Sequence, residues 1–103
     1  MISYRLTSKA EEDLFGIWSF IARDNPDAAD RVEAAIFDAC AFLAAAPLRG
    51  HLRRDLSSLT VRFWTVLRYP NYVIVYDPGT DPLQIIRILH GARNISRQLK
   101  MPE

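Results

Sequence analysis

The sequence predicts an α+β domain of order β-α-α-β-β-β, an N-terminal helical hairpin packed on a small, largely antiparallel sheet. Three observations lead there. Apolar residues recur at helical spacing through the first half of the chain, then alternate in short strand-like runs from residue 61 onward. Only a short Asn25-Pro26-Asp27 signal separates the two helical stripes, so the helices should pack as an antiparallel pair. Dense turn signals, Tyr69-Pro70-Asn71 and Asp77 to Pro82, divide the second half into strands.

In chain order, Ile2, Tyr4 and Leu6 alternate with Ser3 and Arg5 as a short first strand. Ser8-Lys9-Ala10-Glu11 reads as a capping box, with Ser8 as the N-cap of the first helix. Glu12 and Asp13 add negative charge where the helix dipole favours it. Ala10, Leu14, Ile17, Trp18 and Ile21 share one face, and the helix should stop near Asp24. Asn25 caps a second helix and Pro26 suits its first position. Its core stripe reads Ala28, Val32, Ala35, Ile36, Ala39 and Leu43, with Phe37, Cys40, Ala41 and Ala44 as a second stripe, ending before Pro47. Residues 47–60 are irregular. Val61 to Arg68 alternates, Tyr72 to Tyr76 is apolar on both faces as a central strand should be, and Leu83 to Leu89 is the last strand. The tail from Asn94 is a short helix or disordered.

The 103 residues suffice for one domain, 1–103, and one modest core. Half of them are hydrophobic and 24% charged, which places the chain among globular proteins and not disordered ones. No apolar run is long enough to span a bilayer and the N-terminus lacks the apolar core of a signal peptide, so a cytoplasmic location is expected. Cys40 alone excludes an intrachain disulfide and a thiolate metal cluster. No glycine-rich phosphate loop, paired-carboxylate site, His–Cys metal spacing or nucleophile elbow is present, and no cofactor or metal is expected.

The net charge of +1 hides an asymmetry. Residues 1–48 hold eight acids against four bases; residues 49–103 hold nine bases against four acids. Eleven of the thirteen bases are Arg, the residue suited to planar, bidentate contact with carboxylate or phosphate. Arg87, amid an apolar strand and on the side shared by Ile85 and Leu89, demands a partner. Either an acid of the helical hairpin or Asp55 pairs with it, or it faces an acidic target. His90 and Arg93 close that strand, and a His beside several Arg could serve general acid–base chemistry on RNA. Phe15, Trp18 and Phe20 exceed what one helical face can bury, and Trp64 lies opposite Phe63, which suggests an apolar binding surface.

Several segments together resemble a known family. Tyr4 to Leu14 resembles the opening of ParE toxins, where a strand runs into an "A-x-x-D-L" helix, and Ile17-Trp18 and Ile21-Ala22 continue it. Ala46-Pro47 and Gly50 fit the helix exit, and Arg62 with Tyr72-Val73-Ile74-Val75-Tyr76 fits the strands. Ile86 to Asn94, with Arg87, His90, Gly91, Ala92 and Arg93, is similar to the closing signature. The resemblance covers residues 4–94 and implies a RelE/ParE-like fold and a type II toxin. Its implied target is DNA gyrase, bound without catalysis through Arg87, His90 and Arg93. The alternative within the superfamily is a ribosome-dependent mRNA endonuclease, for which Arg62, Arg87 and His90 would be the catalytic candidates. The chain has no lysine between Lys9 and Lys100 and no tyrosine after Tyr76, which tilts the resemblance towards ParE.

The resemblance also implies a ParD-like ribbon-helix-helix antitoxin whose C-terminal segment folds around the toxin to form a hetero-oligomer. Its amphipathic helix is expected on Trp18, Ile21, Phe37, Ala41 and Ala44, with further contact at Trp64. Acidic residues of the antitoxin are expected to meet Arg53, Arg54, Arg62 or Arg68.

Overall fold

The computed structural model describes residues 3–53, 60–91 and 95–100. Its elements are β1 (Tyr4–Leu6), α1 (Ser8–Ala22), α2 (Pro26–Ala45), a 3-10 turn (Pro47–Arg49), β2 (Arg62–Thr65), β3 (Tyr72–Asp77), β4 (Leu83–His90) and α3 (Ile95–Lys100). The strands form one sheet of order β1-β4-β3-β2. β2–β3 and β3–β4 are antiparallel, whereas β1 runs parallel to β4. The α+β expectation and its element order hold, and the tail resolves into the short helix α3.

The start of α1 is shifted by one residue from the expected capping box. Thr7 is the N-cap: its hydroxyl accepts from the Ala10 amide at 3.2 Å, and Ser8 is already helical. Thr7 wins because its hydroxyl has a second task, donating to the Ile86 carbonyl at 2.9 Å. Asn25 caps α2 as expected, its side-chain oxygen accepting from the Ala28 amide.

The inward face of α2 is rotated from the expected stripe. Ala29, Val32, Ala35, Ile36, Cys40 and Leu43 are buried, while Ala28 and Ala39 are only half-buried. The spacing 29, 32, 36, 40, 43 is itself helical, so the alanine-rich sequence admits two stripes and packing on Ile74, Tyr76 and Ile88 selects one. On α1, Ala10 and Leu14 are buried, with Ile17 and Ile21 at the rim of the same cluster.

A second cluster lies on the opposite face of the sheet: Val61, Phe63, Val73, Val75 and Leu89, covered by Ile95 and Leu99 of α3. This explains why Tyr72 to Tyr76 is apolar on both faces. A bulge in β4 shifts the register between Val75↔Arg87 and Tyr76↔Ile85. Ile85 therefore joins the hairpin-side cluster while Leu89 joins the other, so Ile85 and Leu89 do not share a face as strict alternation required. β2 is shorter than expected, because the chain turns at Val66 to Tyr72, where the Val66 amide donates to the Tyr72 carbonyl.

Candidate functional site

β1 pairs with β4 only along Leu83 to Ile85, which leaves the rest of that edge to be satisfied by side chains. Thr7, Asp13 and Gln98 share this task, and Asp13 of α1 also takes the charge on the strand. Its Oδ2 accepts from the Ile88 amide at 3.0 Å and from Arg87 Nε at 2.7 Å, and its Oδ1 accepts from Arg87 Nη2 at 3.0 Å. Arg87 is 9% exposed, and its Nη1 donates to the Gln98 carbonyl of α3 at 2.9 Å. Further along, the Gln98 side chain accepts from the His90 amide and donates to the His90 carbonyl. The two alternatives for Arg87 thus resolve geometrically into a bidentate pair with an acid of the hairpin. Asp55 lies outside the described residues.

Arg62 is also turned to structural contacts. Its Nη1 donates to the Gly50 carbonyl at 2.7 Å and the Leu48 carbonyl at 3.4 Å. The Tyr76 hydroxyl, on a fully buried side chain, donates to the Pro47 carbonyl at 2.6 Å and accepts from the Gly50 amide at 2.8 Å. Burial raises the Tyr76 pKa, opposed by the Gly50 amide and by Arg62. A Cβ at Gly50 would lie 2.5 Å from the Tyr76 hydroxyl, so glycine is required by close approach.

His90 stands edge-on to Tyr72, with ring centroids 5.5 Å apart. It lines a cleft with Glu12, Asp13, Phe20, Tyr72 and Gln98, and its Nδ1 is buried without a hydrogen-bond partner among the described residues. The three catalytic candidates do not converge. Arg62 lies opposite Tyr76 and His90 opposite Tyr72, four residues apart on β3, and Arg87 is bound to Asp13. The described lining beside His90 carries carboxylates and no arginine, which suits a phosphodiester poorly. Arg54 and Arg93 lie outside the described residues.

Cys40 is buried in the hairpin-side core, and burial pushes its thiol up to about 12, far from the thiolate a nucleophile needs.

A hollow of about 1090 Å³ runs between β1 and the outer side of the helical hairpin. Leu14, Phe15 and Trp18 of α1 and Phe37 and Ala41 of α2 supply its apolar wall. Trp18 is held in place by its indole N–H, which donates to Asp30 Oδ1 at 2.9 Å. Ala44 lines an adjoining hollow, and Ser3 borders both. Trp18, Phe37 and Ala41, singled out from the sequence, are therefore brought to one groove, and Ala44 to the hollow beside it. Ile21 instead packs at the rim of the core. Trp64 and Arg68 belong to a separate slot with Phe42 and Leu67, where Phe42 and Trp64 have ring centroids 5.6 Å apart. Arg53 is exposed near that end of the chain.

Sequence reasoning treated Asp13 as a helix-dipole acid and did not join it to Arg87. The available signal was its place immediately before Leu14, at the margin of the inward stripe. It also passed over Glu11 and Glu33, which line the groove.

Comparison with known proteins agrees with the fold. Residues 4–95 match the family described as the ParE toxin of the type II toxin–antitoxin system parDE. Among solved structures, the chain is similar to one described as the chromosomal ParDE TA system from P. aeruginosa, with a TM-score of 0.69 and 25% sequence identity over 87% of this chain and 96% of that one. A search of curated proteins returned no match. No helix among the described residues is long and apolar enough to cross a membrane.

Proposed function

This chain belongs to the ParE toxin family of type II toxin–antitoxin systems, and on that premise we propose that it arrests growth by binding DNA gyrase in the cytoplasm and is held inactive by a ParD-like antitoxin. The observation that supports the antitoxin half is the groove beside β1, which gathers Trp18, Phe37 and Ala41 into one apolar wall of the size a helix fills. A ribbon-helix-helix antitoxin would lay its C-terminal helix there and form a hetero-oligomer with the toxin. The separate slot around Trp64 and Arg68 would receive a more distal part of the same segment.

The target half is supported by the dispersal of Arg62, Arg87 and His90, which favours a binding toxin over a nuclease. In this reading His90 and the C-terminal segment containing Arg93 meet gyrase. Arg87 contributes by tying β4 to α1 through Asp13 and to α3 through the Gln98 carbonyl. Toxin freed of antitoxin should inhibit gyrase supercoiling and accumulate cleaved DNA, with cellular transcripts left intact. Unimpaired supercoiling at micromolar excess would overturn the target, and transcripts cut only on ribosomes would replace it with the endonuclease.

A further inference from the structure

The acids of the groove specify what kind of helix it takes. Asp30, Glu33, Phe37, Ala41 and Ala44 are spaced by 3, 4, 4 and 3 residues, so they form one stripe along α2. That stripe rises roughly 21 Å at 1.5 Å per residue, about four helical turns. Asp30 and Glu33 lie toward the hairpin tip, while Ala41 and Ala44 leave the far end free of acids on α2. From α1, Glu11 joins the lining, and across the groove Arg5 of β1 is the single base among the described lining residues.

Three carboxylates thus rim an apolar floor built from Leu14, Phe15, Trp18, Phe37 and Ala41. Phe15 is 69% exposed, an apolar surface that binding would cover. We propose that this groove takes a basic-edged amphipathic helix of about four turns, with its lysines or arginines over Asp30 and Glu33. This rests on the reading of the groove as the antitoxin site and sharpens it: the segment seated here is basic-edged, and the acidic residues expected of the partner belong elsewhere, toward Arg68.

Two synthetic helical peptides of roughly 14 residues test it. Both carry the same Leu/Ala stripe, and the flanking positions are Lys in one and Glu in the other. Binding to the full chain is followed by fluorescence anisotropy at low salt. The Lys peptide should bind about tenfold tighter, since three rim pairs each contribute a fraction of a kcal/mol to about 1 kcal/mol. That preference should shrink to roughly twofold in the Glu11→Gln/Glu33→Gln double variant, where Asp30 alone remains of the three carboxylates, while Ala41→Trp, at an exposed position, should block both peptides. Equal affinity for the two peptides with both blocked by Ala41→Trp overturns the charge inference and leaves the groove standing. Binding indifferent to Ala41→Trp, or no binding by either peptide, overturns the groove reading itself.

Discussion

On the groove side of the helical hairpin, Glu11, Asp30 and Glu33 stand around an open apolar surface. On the sheet, Arg62 and Arg87 reach into the fold, one fastening the turn after α2 and the other clamped on Asp13. The two charged halves are therefore put to different uses, although they carry similar excesses of opposite sign. A carboxylate on a short side chain stays where the backbone puts it. A guanidinium on a long stem can satisfy several carbonyls at once, as Arg62 does with Leu48 and Gly50, or close a bidentate pair. An arginine count consequently overstates how much basic surface remains for a target, while the acids of the first half are mostly available.

The largest effect that could break this contrast is expected at Arg87. Its side chain and that of Asp13 are 11% and 15% exposed. Arg87→Ala leaves Asp13 buried with only the Ile88 amide, and should cost about 3–5 kcal/mol in urea unfolding. Arg87→Met with Asp13→Ala should recover part of that loss, because the carboxylate that Arg87→Ala leaves uncompensated is removed along with its partner. If Arg87→Ala keeps full stability and loses only toxicity, the arginine is a target contact and the contrast fails.

Cys40 separates the inner face of the hairpin from its groove face. Its pKa is raised by burial from 9.0 to about 12, so the unfolded chain ionises first. The stability this contributes is complete below about pH 9 and is lost as the pH rises towards 12, at a slope approaching about 1.4 kcal/mol per pH unit. Cys40→Ala should flatten that alkaline limb. Burial also raises Tyr4 and Tyr76, which adds to the same limb and remains in the variant. An equally steep limb in Cys40→Ala would mean that the thiol is not held away from water.

Arg62→Ala should be milder, about 1–2 kcal/mol, because the side chain is only half-buried and water can replace part of what it gives the Gly50 and Leu48 carbonyls. Thermal unfolding of the variant reads this directly. A loss as large as that at Arg87 would show that the turn after α2, and not the β4 edge, is where the basic half does most for stability.

Local rules reached the element order, the Asn25 cap and the turn positions, because each rests on residues close in sequence. They placed the α2 stripe one step off, since an alanine-rich helix offers two inward faces and the sheet decides between them. They put Ile85 on the face of Arg87 and Leu89 for a similar reason: a bulge opposite Val75 and Tyr76 depends on pairing with β3 and leaves no local mark. Trp18, Phe37 and Ala41 were legible as a surplus of apolar side chains on the hairpin. The acids beside them were not, because their importance appears only once β1 closes the groove.

The smallest expected effect is the sharpest on the other side of the contrast. Glu11 is exposed and Glu33 half-buried, and neither forms an ion pair among the described residues. Glu11→Gln/Glu33→Gln should change unfolding stability by less than about 0.5 kcal/mol, with any loss arising from the first-turn position of Glu11 in the α1 dipole. The same substitutions remove two of the three carboxylates at the groove. If they instead destabilise the fold as Arg62→Ala does, these acids serve the hairpin itself, and the division between open acids and inward arginines collapses.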